Sequence, residues 1–236
     1  MKKIKLYLTK NLYDASEVAI REKSDVIDLL LLILPEIMFS EPVDNNLGYF
    51  EVIVDKMSRV IFTLKREDIV YKRFSFNFPY VISEDCNQDD LLKWEISDGS
   101  GFVINSQVIS VLMILCREGL FKENIDLSIE PLEFYDRIQH AIKEIDADVT
   151  ITDTLIWHFV RKLFLFEPGY LRYDLDDNEE RCNEQTHPLH HLDFYYSSSA
   201  TLKIGVAKNN REFQKWKEDS FEQLLDLRLP CYYIKL

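Results

Sequence analysis

A chain of 236 residues that is 47% hydrophobic can build a core that stands without disulfide or metal staples, and its 6 Gly and 7 Pro are too few for long flexible linkers. The formal charge of −13 argues against a broad phosphate-binding face, because holding a polyanion draws on clustered Lys and Arg; it suits plain solubility or an acidic face for a basic protein partner. Cys86, Cys116, Cys182 and Cys231 lie far apart with no C-x-x-C pair, which excludes a zinc ribbon or dense disulfide framework and fits a reducing cytoplasm.

The N-terminus MKKIKLYLTKNLYD is basic but lacks the apolar run and small-residue cleavage site of a signal peptide. Ser16 to Phe39 predicts a core helix whose LLLLIL run is apolar on all sides, with Pro35 kinking or ending it. That run, Leu29 to Leu34, falls far short of the roughly 20 residues that cross a bilayer, so no membrane association is expected. From Tyr49 the period becomes two. YFEVIVDK, SRVIFTLK and YKRFSFNF predict an antiparallel meander with turns at Lys56 to Ser58 and Lys65 to Asp68. After an acidic loop at Cys86 to Asp90, Trp94 to Ile96 and Phe102 to Ile104 flank the turn Ser97-Asp98-Gly99-Ser100-Gly101, a further hairpin.

Three helices follow, over Gln107 to Arg117, Pro131 to Ile145 and Asp153 to Phe166. His140 and His158 lie within them without ligands nearby in sequence and read as structural or surface residues. Strands are then predicted at Tyr170 to Leu175, His191 to Ser197 and Thr201 to Val206, an amphipathic helix at Glu212 to Leu227, and a closing strand in CYYIKL. The fold class is α+β: a β-meander in the N-terminal half, helices in the middle, and a three- to four-stranded antiparallel sheet plus a helix at the C-terminus. The chain reads as a single compact domain, 1–236, with a division into a β-rich 1–104 and an α+β 105–236 as the alternative.

Residues 169–206 carry chemistry beyond what a fold needs. Alternation puts Leu171, Tyr173, Leu175, Leu192, Phe194, Tyr196, Leu202, Ile204 and Val206 on one face and Arg172, Asp174, His191, Asp193, Tyr195 and Lys203 on the other. If the strands are neighbours, carboxylates, an imidazole and cations converge. Asp174, His191 and Asp193 can hold a divalent metal, with Arg172 and Lys203 neutralising developing charge, the parts of a metal-dependent nuclease or phosphodiesterase. The placement of Asp193 and Lys203 loosely resembles restriction-type nuclease sheets, but the glutamate-x-lysine tripeptide of that family is absent.

A second option makes zinc ligands of His187, His190 and His191 with Cys182 or Asp193, although adjacent His190 and His191 point to opposite faces of a regular strand. A third needs no metal and uses His191 with Asp174 or Asp193 as an oriented general base. The structural alternative pairs Arg172 with Asp174 or Asp193 across the sheet and lets His187-Pro188 brace a turn.

GYLRYD, an acidic loop, HPLHHLD, an aromatic strand and LKIG together resemble the C-terminal block of uncharacterised bacterial families met among mobile and antiphage-defence genes. The matching positions are Arg172, Tyr173, Asp174, His187, Pro188, His191 and Leu192. The resemblance covers about 40 residues. It implies a defence-associated protein, either an effector or the small accessory subunit of a multi-protein complex with an ATPase; a protein partner, an ATPase or a nuclease subunit, is expected, in the cytoplasm that the cysteines suggest. Direct nucleic-acid binding is disfavoured by the charge. Composition alone also admits an immunity-type inhibitor of a basic enzyme.

Overall fold

The computed structural model describes residues 2–39, 46–55, 58–84, 94–122, 131–175, 183, 189–194 and 202–206, and over these the class is α+β, as the sequence predicts. Contacts group the chain into two units. One comprises Met1–Leu8, Asp44–Phe78 and Gly169–Leu236, the other Thr9–Val43 and Pro79–Pro168, a nested arrangement in place of a single cut near residue 105.

The first unit is a sheet. Strands β1 (Lys2–Tyr7), β2 (Gly48–Val54), β3 (Arg59–Arg66) and β4 (Ile69–Asn77) form the expected meander, preceded by a first strand that the basic N-terminus did not advertise. The C-terminal strands β8 (Leu171–Leu175), β9 (His190–Phe194) and β10 (Leu202–Val206) form an antiparallel set that extends this meander, in the order β1-β2-β3-β4-β8-β9-β10. The predicted strand through Ser197, the helix at Glu212 to Leu227 and the closing strand extend into or lie outside the described residues.

Register sorts the side chains of this sheet. Phe50, Phe62 and Phe74 stack at centroid distances of 5.7 and 4.6 Å, with Phe76 stacked and Tyr170 tilted against Phe74, and the four phenylalanines are fully buried. The opposite face of the same strands holds buried polar residues. There Arg59 donates to Ser75 Oγ at 2.8 Å, Asn77 Oδ1 at 2.9 Å and the Gly169 carbonyl at 2.6 Å. Burial pulls Arg59 down to about 10, which leaves it charged at neutral pH. The clamp fixes the start of β8 beside β3 and β4, and Gly169 suits the place: its φ is +53° and an added Cβ would come within 2.9 Å of the Asn77 amide. On this face Ile53 and Ile61 join Leu171, Tyr173 and Leu192 in an apolar cluster.

The second unit contains helices α1 (Lys10–Glu17), α2 (Lys23–Phe39), α3 (Ser106–Arg117), α4 (Pro131–Glu144) and α5 (Asp153–Leu165), with a small sheet of β5 (Val81–Glu84), β6 (Trp94–Ser97) and β7 (Val103–Ile104). The helix expected from Ser16 is two helices, because Thr9 caps an earlier start by accepting from the Leu12 N–H. α2 is buried around most of its circumference and runs through Pro35 to Phe39, so the proline neither ends it nor replaces the packing that holds it. Asn105 and Thr152 cap α3 and α5. Among the described residues no helix is long and apolar enough to cross a membrane.

Candidate functional site

The register of β8 and β9 sets Arg172 opposite Asp193 and Asp174 opposite His191, while β10 sets Lys203 opposite Asp193. On the other side β4 sets Phe74 opposite Arg172 and Lys72 opposite Asp174. The structure thus brings together Arg172, Asp174, His191 and Asp193 and adds Lys72, which lies outside the segment that drew attention in the sequence. Lys203 shares the register position, and its side chain lies outside the described residues, as do His187 and Cys182.

Arg172 sits at the centre. Its Nε donates to Asp174 Oδ2 and its Nη2 to Asp193 Oδ2, both at 2.6 Å, and His191 Nε2 lies 3.4 Å from Asp174 Oδ2. His191 and Asp193 are each 3% exposed. Burial works against the Asp174 carboxylate, but the hydrogen bond with His191 and the charges of Arg172 and Lys72 outweigh it and hold this carboxyl below its ordinary value. For Arg172 burial is likewise overcome, here by Tyr170, Asp174 and Asp193, so the guanidinium is held more firmly charged than in water. His190 leaves the cluster, as alternation requires: its Nδ1 lies 3.0 Å from the Tyr173 hydroxyl, and its ring stacks on Tyr173.

Two chemical capacities coexist here. Ligand atoms of Asp174, His191 and Asp193 lie within 4.8 Å of one another, close enough for a divalent cation. Yet Arg172 and Lys72 already balance Asp174 and Asp193, with the guanidinium bridging one oxygen of each carboxylate, while Asp193 Oδ1 is buried without a hydrogen bond among the described residues. As a general base, His191 would have to act from a position almost closed to solvent.

A different arrangement had no counterpart in the sequence reading. Asp98, in the turn after β6, has a side chain only 1% exposed and pairs its Oδ2 with His158 Nε2 of α5 at 2.5 Å. Its Oδ1 accepts from the backbone N–H of Ser100 at 2.8 Å and of Phe102 at 3.0 Å. Burial disfavours the charge on Asp98, and those N–H groups and His158 reverse the effect, leaving its pKa lowered. The partner of His158 stands 60 residues away in sequence, so proximity along the chain concealed it. The available signal was the helical spacing of His158, Arg161 and Lys162, which puts all three on one face. His140 also gains neighbours: with Glu118 and Glu144 it forms an exposed group whose ligand atoms lie within 4.8 Å of one another.

Comparison of the chain with family models, curated proteins and solved structures gives no match.

Proposed function

We propose that this chain is a non-catalytic binding subunit, the accessory or regulatory member of a bacterial antiphage-defence assembly that engages an ATPase or nuclease subunit. The observation that carries the reading is the closure of the 169–206 cluster on itself. Arg172, itself part-buried, bridges part-buried Asp174 and buried Asp193, so these residues are engaged with one another across the sheet instead of presenting free groups to a substrate. The charge of −13 suits a basic face on the partner, and exposed aromatic side chains such as Tyr135 and Trp157 add contact area of the kind interfaces use. The defence setting comes from the resemblance of the C-terminal block.

The test is co-expression with the products of adjacent genes, followed by mass measurement in solution. A complex of defined stoichiometry that weakens as salt rises is expected. A lone monomer in the presence of every neighbour, at physiological salt, counts against the reading.

The grouping of Asp174, His191 and Asp193 favours one alternative, a metal-dependent nuclease or phosphodiesterase with Arg172 and Lys203 stabilising charge. It requires Arg172 to swing out of the space between the carboxylates. Stoichiometric Mn²⁺ or Zn²⁺ uptake abolished by Asp193→Asn, together with cleavage of DNA or RNA abolished by the same change, would establish it in place of the first.

A further inference from the structure

We propose that the cleft beside Asp98 and His158 binds the phosphate group of a small organic phosphate. The cleft has a volume of about 410 Å³, within the range of small-molecule sites. It lies wholly within the helical unit and is independent of the partner-binding reading. Among the described residues its polar lining includes Ser100, His158, Arg161 and Lys162, and its apolar lining Pro79, Leu165 and Phe166.

The donors in this cleft are prepared for an anion. Both oxygens of the Asp98 carboxylate are turned away into two backbone N–H groups and His158 Nε2, which spread its charge. That same contact orients the imidazole, and its Nδ1 has no hydrogen-bond partner among the described residues; with Nε2 donating to Asp98, Nδ1 donates to an anion only in the imidazolium form. Phe102 lies against the ring with centroids 4.5 Å apart, and Phe159 meets it edge-on, so two aromatic rings restrict the imidazole. Lys162 donates to the Asp98 carbonyl at 3.0 Å, which holds its ammonium at the cleft with N–H groups to spare. Arg161 is exposed and forms no ion pair among the described residues. Glu167, the remaining carboxylate of the lining, is exposed and lies near the Lys23 charge.

In a chain of net charge −13, the lining is formally neutral, two cations against Asp98 and Glu167, and its guanidinium, ammonium and oriented imidazole are gathered on one face of α5. A phosphate offers enough acceptor oxygens for all three, whereas a carboxylate offers only two atoms. The apolar wall of Pro79, Leu165 and Phe166 calls for an organic body attached to that phosphate.

Calorimetric titration of the intact chain with phenyl phosphate, inorganic phosphate and benzoate tests this. Phenyl phosphate is expected to bind one-to-one and roughly tenfold more tightly than either of the others. Arg161→Ala and His158→Asn are each expected to weaken it roughly tenfold or more, with unchanged circular dichroism. Arg137→Ala, which removes an α4 cation paired with Glu133, should leave binding unaltered. Absence of saturable phenyl phosphate binding up to about 10 mM overturns the proposal. So does equal binding of benzoate or inorganic phosphate, or an Arg161→Ala variant that binds as tightly as the parent.

Discussion

Phe74 and Arg172 stand opposite one another in the register of β4 and β8, and at that pair the two faces of the sheet exchange character. On the β2 to β4 side, the face they share is a stack of buried phenylalanines; on the β8 and β9 side it is the ion cluster. The other face does the reverse, from buried Arg59, Thr63, Arg73 and Ser75 to the apolar Leu171, Tyr173 and Leu192. A charge network bordered by a phenylalanine ring is screened from water on that side, which strengthens its ion pairs and raises the cost of breaking them.

Removing the hub of that network should therefore be expensive. Arg172→Met leaves Asp174 and Asp193 close together without their shared cation and should cost about 3 kcal/mol of unfolding free energy by urea titration. The triple variant Arg172→Met, Asp174→Asn, Asp193→Asn should recover part of that loss, because it leaves no unpaired carboxylate, only Lys72 without the nearby Asp174 charge. A triple variant less stable than the single one would show that Arg172 contributes by packing instead.

The phenylalanine stack behaves as a unit. Phe62 and Phe74 lie 4.6 Å apart with rings nearly parallel, so Phe62→Leu and Phe74→Leu remove a shared contact. Their combined effect should fall short of the sum of the single effects by about 0.5–1.5 kcal/mol in a double-mutant cycle. Strict additivity would mean that the rings contribute only through burial.

Much of this sheet was legible in the chain. Period-two alternation in YFEVIVDK, SRVIFTLK and YKRFSFNF gave the meander, and the same rule put Arg172, Asp174, His191 and Asp193 on one face and His190 on the other. Alternation reports which residues share a face and is silent about which strand lies alongside. The pairing of β4 with β8 joins positions about a hundred residues apart, and with it came Lys72, whose charge changes the sum at the cluster. Exposure was equally hidden, since polar residues on a strand predict a wet face unless another part of the chain covers them. The Asp98 and His158 pair escaped for the same reason: a turn residue and a helix residue meet only through tertiary packing.

The lowered Asp174 carboxyl fixes a pH dependence. A carboxyl whose folded value is depressed stabilises the fold above its unfolded value, near pH 4, and that contribution is lost as pH falls through the folded value. The stability difference between the parent and Asp174→Asn should therefore be largest at neutral pH and shrink below about pH 4, followed by urea unfolding at intervals from pH 7 to pH 3. A difference constant over that range would mean that Asp174 titrates alike in both states.

Gly48 opens β2 under a constraint that no other residue satisfies. Its φ is +134°, and an added Cβ would fall 2.1 Å from the Thr63 carbonyl oxygen on the neighbouring strand. Its own carbonyl accepts from the Leu8 N–H, and it pairs in register with Leu64. A side chain there must push backbone from backbone, which has no flexible end to yield. Gly48→Ala should therefore cost at least about 3 kcal/mol, strain and clash together, and speed hydrogen exchange at the Leu8 amide. An alanine variant as stable as the parent, with that amide still protected, would show that the β2 and β3 strands can part at this end without loss.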